Sequence, residues 1–187
     1  MKGGFPMLQF KLFKVFGGDE EFNKIILVFP NAVKFNDNIV GIPYDYGRNG
    51  YRKILEEVKG FSVKQYIITP EKFFKLINLS VNNDYFISSL KFLDSVPLEN
   101  QQVMDLYRKQ INTAQTNTEK LEKLDKYLSE LEWIVSDGSI DIKELGLRIM
   151  SNNKQLQVEV TLYNNGVILI DNKDVENQVI ELIKSIE

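Results

Sequence analysis

Few side chains in this sequence can carry chemistry, because it contains neither cysteine nor histidine. Thiol nucleophiles, Cys-x-x-Cys redox pairs and the usual zinc sites are excluded. So is every catalytic arrangement built on an imidazole base. What remains is a scatter of carboxylates and cations: Asp19, Asp45, Arg48, Arg108, Lys120 and Lys123. Taken singly, each is most often a solvated surface charge. Asp45 and Arg48 share the stretch Gly41-Ile42-Pro43-Tyr44-Asp45-Tyr46-Gly47-Arg48-Asn49-Gly50, between an apolar run and a helical pattern. In open α/β sheets ligands gather where strands end and such loops begin, so a site is expected there.

The elements that must position these residues follow from periodicity. Residues 8–16 alternate Leu8, Phe10, Leu12 against Gln9 and Lys11, followed by Phe13 and Val15, which predicts a strand of period two with some slippage. Gly17, Gly18 and Asp19 then read as a turn, and 22–29 as a buried strand ending in Ile25–Phe29. A third strand is expected at 39–42, a helix at 51–59 stopped by Gly60, a strand over 63–69, and a helix beginning with Pro70 at its first turn. Residues 85–87 form a short strand. A helix starts at 97–99 and buries Val103, Met104, Leu106 and Tyr107, and 112–117 break it. Leu121, Leu124, Leu128, Leu131 and Val135 recur at helical spacing, a stripe for packing on the sheet. Residues 141–150 read as a short helix with Asp141 as N-cap and Glu144 at the capping-box position. Alternating 158–162, the turn Asn164-Asn165-Gly166 and 167–170 make a hairpin, and 174–186 a closing helix.

The totals fit one domain over residues 1–187: hydrophobic residues make up 43% and charged residues 26%, and no linker divides the chain. The expected class is α/β, a mixed central sheet flanked by helices. A net charge of −3 with no basic stripe argues against nucleic acid as a partner. No apolar run reaches the roughly 20 residues that span a bilayer. Gln9, Lys11 and Lys14 interrupt the first apolar stretch, so it does not read as a signal peptide.

In order and spacing, several segments resemble the LytR–CpsA–Psr family of bacterial cell-envelope proteins. Gly17-Gly18-Asp19 is similar to the family's G-x-D, and Phe22-Asn23-Lys24-Ile25-Ile26-Leu27 to its S-D-T-I-x-L strand. Ile42-Pro43-Tyr44-Asp45 stands where the family has I-P-R-D. Val103-Met104-Asp105-Leu106-Tyr107-Arg108-Lys109-Gln110 is similar to A-L-x-Y-x-R-x-R, and the segment from Lys120 to Leu128 to R-x-x-R-Q-Q-x-x-L. The resemblance implies an extracytoplasmic domain, membrane-anchored by a segment outside this chain. It implies transfer of a glycan phosphate from a polyprenyl diphosphate to the cell wall. Asp19 would then hold Mg²⁺, and Arg108, Lys120, Lys123 and Arg48 would grip phosphate beside Tyr44 and Asp45. Mg²⁺ suits carboxylates with phosphate oxygens, and arginine's fork suits a diphosphate.

The departures fall on those same residues. Asn23 replaces a metal carboxylate, Tyr44 and Gln110 replace arginines, and Lys120 and Lys123 keep charge without bidentate geometry. Each lost charge-assisted contact forfeits about 1.5–3 kcal/mol, so losing two costs roughly 10²–10⁴ in affinity. The expectation is an eroded site that holds Mg²⁺ weakly, in a non-catalytic relative binding a polyprenyl-phosphate lipid, a cell-wall glycan or an envelope protein. A weak or altered phosphotransferase is the alternative, and a cytosolic α/β interaction domain is the third.

Overall fold

The computed structural model describes residues 7–43, 45, 51–152 and 155–187. Its first strand, β1 (Leu8–Val15), ends at Gly17 and Gly18, whose φ angles of 120° and 63° turn the chain sharply. The next element is a helix, α1 (Gly18–Val28), and not the expected strand at 22–29. Asp19, Glu20 and Glu21 fill its first turn, where the helix dipole favours carboxylates. Glu21 also accepts a 2.6 Å hydrogen bond from the Ser62 amide, which holds its carboxyl below the usual range. Of the apolar run only Ile25 is buried, and Leu27 is 82% exposed. The run is therefore one face of a helix and not a central strand.

Strands β2 (Val33–Asn36) and β3 (Ile39–Pro43) form a hairpin that the sequence reading missed. Helix α2 (Tyr51–Glu57) continues as a 3₁₀ turn over Val58–Gly60, and β4 (Val63–Gln65) follows. The expected strand over 63–69 is thus shorter. Beyond it the Tyr66 amide bonds to the Leu12 carbonyl and the Ile68 amide to the Asn164 carbonyl. Helix α3 (Pro70–Asn82) leads to β5 (Phe86–Phe92), then to helices α4 (Leu98–Thr113) and α5 (Asn117–Ser136), which pack on each other. Residues 142–150 form strand β6 (Ile142–Met150), not a short helix. Pairing with β5 on one side and with β7 (Gln157–Tyr163) on the other decides this. A register shift near Lys91 places Ile142 and Leu145 in the same core and so breaks the alternation. Strand β8 (Val167–Ile170) completes the expected hairpin, and α6 (Glu176–Ser185) closes the described fold.

The sheet runs β2-β3-β1-β8-β7-β6-β5, with β4 also paired to β1. Every pairing is antiparallel, so the expected mixed sheet is corrected to an antiparallel one. The β3–α2–β4 connection explains the difference. It carries the chain across β1, so β3 and β4 both pair antiparallel with β1 and never with each other. Alternation on β1 divides the core. Phe10 and Leu12 meet α3, α4, α5 and α6 on one face, and Phe13 and Val15 meet Ile25 of α1 and Ile54 of α2 on the other. On the larger face Leu124, Tyr127, Leu131 and Ile134 are the buried residues of α5, while Leu121 lies at its margin. Leu106, expected inside, is 52% exposed, and Met104 and Ile111 form the buried face of α4.

Candidate functional site

The residues singled out by sequence divide into two groups. Asp19 is exposed on the first turn of α1, where Lys34 of β2 approaches it at 3.0 Å and Asp37 at 3.2 Å. Those two carboxylates hold the Lys34 ammonium above its ordinary pKa, Asp19 foremost. Asp45 is exposed just past β3, and Tyr44 and Arg48 lie outside the described residues. Arg108 stands on α4, Lys120 on α5 pairs with Asp84 at 2.6 Å, and Lys123 lies 3.8 Å from Glu122 on its own helix.

Asp19 thus belongs to the β2 edge of the sheet, and Arg108, bonded to β5, to the opposite edge. Strand spacings of about 4.8 Å, crossed six times, put these edges roughly 29 Å apart. The convergence of Asp19, Tyr44, Asp45, Arg108 and Lys123 expected from the family resemblance does not occur for the described members. Nor do the residues about Asp19 fit Mg²⁺: Lys34 already occupies its carboxylate, and the position one turn along the helix is the neutral Asn23. Among the described residues no group of three or more acidic side chains could hold a metal ion.

What surrounds Arg108 is a cleft of about 300 Å³ between β5, α4 and α5. Its apolar floor includes Leu90, Phe92, Val96 and Met104. One Arg108 nitrogen donates to the Ser88 carbonyl and another to Asp105, both at 2.7 Å. One turn further along α4, Asn112 donates to the Ile87 carbonyl at 2.8 Å and accepts from its amide at 3.1 Å. Two α4 side chains therefore cap the edge strand, which blunts it against pairing with other chains. Replacing Asn112 by alanine removes both bonds and is expected to cost about 1–3 kcal/mol. Thermal denaturation checks this, and an unchanged midpoint would show that the cap contributes nothing.

Beyond Arg108 the edge is open. Ile87, opposite Leu147, turns both backbone groups outward to Asn112. Antiparallel pairs alternate between bonded and non-bonded, and Leu145 shares the orientation of Leu147. Leu90, opposite Leu145, therefore also presents its N–H and C=O outward, beside the cleft it lines. At the base lies Tyr127, 1% exposed. Burial first, and then Asp105, push its hydroxyl well above the usual range against the opposing pull of Arg108. That hydroxyl has no hydrogen-bond partner among the described residues. The side-chain atoms sealed from solvent without a partner are Ser80 Oγ, Gln110 Oε1 and Gln178 Oε1 among the described residues, so the Tyr127 hydroxyl keeps access to solvent and is free to bond a ligand.

Sequence reasoning found Arg108 and Met104 but missed Tyr127. The signal was present: Tyr127 stands three residues after Leu124 and four before Leu131, a polar-tipped side chain on an apolar stripe. No protein-family model matches this chain, and neither a curated protein nor a solved structure matches it.

Proposed function

We propose that this is a non-catalytic binding domain that takes a short segment of a partner protein in the cleft between β5, α4 and α5. The Tyr127 hydroxyl, without a hydrogen-bond partner among the described residues and set in a cleft that joins an apolar floor to charged walls, carries the reading. A space of about 300 Å³ accepts a few side chains, not the tail of a polyprenyl lipid. The charges lining it have both signs, with Arg108 and Lys91 beside Asp94 and Asp105, which suits a peptide better than a diphosphate. Exposed Leu93 and Leu98 extend the apolar surface at the loop between β5 and α4. The Mg²⁺-dependent phosphotransferase reading requires Asp19 and Arg108 on one diphosphate, and they stand on opposite edges of the sheet. Peptide binding is compatible with either side of the membrane, including the envelope location that the family resemblance implies.

Tyr127→Phe separates binding from folding. Its hydroxyl bonds to no described residue, so the variant is expected to melt at the same temperature. Peptides selected on the folded domain from a displayed random octapeptide library should bind it about tenfold more weakly, the worth of one hydrogen bond. Fluorescence polarisation measures the affinities. Selected peptides that all bind Tyr127→Phe as tightly as the native protein, or a library yielding no binder, would overturn the proposal.

A further inference from the structure

We infer that the partner segment binds as an added β-strand on the open edge of β5, antiparallel or parallel to it, at Leu90. This rests on the cleft being the binding site and goes further by fixing the conformation of the ligand. Three observations carry it. The first is the division of the edge: Asn112 and Arg108 occupy the backbone of Ile87 and Ser88, and the protection stops there. The second is the outward N–H and C=O of Leu90, to which no side chain among the described residues bonds. Such a donor–acceptor pair on an edge strand is completed by an extended backbone, whose alternate side chains then enter the neighbouring groove. The third is the chemistry of that groove. Phe92, Val96 and Met104 supply an apolar floor, and Tyr127 lines it with them.

Charge narrows the occupant. Arg108 is neutralised by Asp105 at 2.7 Å and Lys91 by Glu144 at 2.6 Å. Asp94, also on the cleft wall, has no ion-pair partner among the described residues. The segment that fits is therefore extended, carries an apolar side chain for the floor, and brings a lysine or arginine to Asp94. A helical ligand would leave the Leu90 backbone groups unused.

The test uses the native protein and a cleft-binding octapeptide, one whose affinity falls on Tyr127→Phe. Methylating its backbone amides one at a time should weaken binding at least tenfold at one position, the N–H that donates to the Leu90 carbonyl, and less than threefold at the amides on either side of it. Amide hydrogen exchange at Leu90 should slow at least tenfold when the peptide is bound. A peptide that remains sensitive to Tyr127→Phe but has no methylation-sensitive amide, with Leu90 exchange unchanged, overturns strand addition and leaves the cleft reading standing. Failure of every peptide to respond to Tyr127→Phe overturns the cleft reading itself, so the two failures are distinguishable.

Discussion

Lys11→Met is expected to stabilise this protein by about 2 kcal/mol at neutral pH, an unusual sign for replacing a hydrogen-bonded residue. Lys11 lies in the middle of β1, fully buried, and its ammonium donates to the Asn165 carbonyl. The rings of Phe13 and Tyr51 stand 5.6 and 5.7 Å from its nitrogen. One carbonyl and two ring faces are poor replacements for water, and burial lowers the pKa from 10.5 to about 8. The folded pKa is below the unfolded one, so below pH 8 the protonated lysine penalises the folded state in full. As pH rises from 8 toward 10.5 the folded protein sheds a proton that the unfolded chain still holds, and stability climbs. The gap corresponds to about 3 kcal/mol. Methionine removes that cost and gives up one hydrogen bond worth about 1 kcal/mol. Denaturant unfolding at pH 7 and pH 9.5 tests both parts. The advantage of the variant should shrink at the higher pH, and an advantage independent of pH, or none, would sink the account.

Lys11 also shows where a sequence stops being informative. Alternation placed Gln9 and Lys11 on the side of β1 opposite Leu8, Phe10 and Leu12, and that division is correct. What alternation cannot convey is that both faces of this central strand are covered. Position 11 comes under the tip of the β7–β8 hairpin, which contacts it from 154 residues away. Where order depended on nearby residues, the reading succeeded. The turn at Asn164-Asn165-Gly166 and the inward face Val179, Leu182, Ile183 and Ile186 of the last helix are local patterns, and the structure contains them. Where an apolar run was short, only tertiary partners decided its form. The run at 25–29 became helical because its first turn carries three acids and a neighbouring amide waits for Glu21. The run at 142–150 became a strand because two other strands flank it. The candidate site was legible to the same degree. Arg108 was visible as a charge, but its role as an edge cap depends on Ser88, and the position of Tyr127 at the base of a cleft depends on how α4 and α5 meet the sheet. The cleft is a product of packing, and no motif encodes it.

Gly166→Ala should be among the most damaging single-methyl changes this fold can receive, about 3 kcal/mol or more. Gly166 has φ of +75°, where a side chain alone costs about 1–2 kcal/mol. A Cβ there would also lie 2.2 Å from the Tyr66 carbonyl oxygen, a backbone atom that cannot swing aside. Relieving the overlap means parting the hairpin from the segment after β4. That segment and β1 are joined to it through the Ile68–Asn164 and Leu12–Gly166 backbone bonds, both 2.8 Å. Each bond lengthened in this buried setting adds about 1 kcal/mol to the strain. Gly60 is the matched control: no atom lies within 4 Å of its hypothetical Cβ, and its φ is not in the left-handed range. Gly60→Ala is expected to be neutral or to stabilise by about 0.4–1 kcal/mol, through the lower entropy of the unfolded chain. Urea unfolding of the two variants side by side decides the matter. A Gly166→Ala midpoint as high as that of Gly60→Ala would mean that the hairpin tip does not pack against Tyr66 as described. A loss confined to Gly166 would identify this turn as the point where the β7–β8 hairpin is locked onto β1, above the buried Lys11.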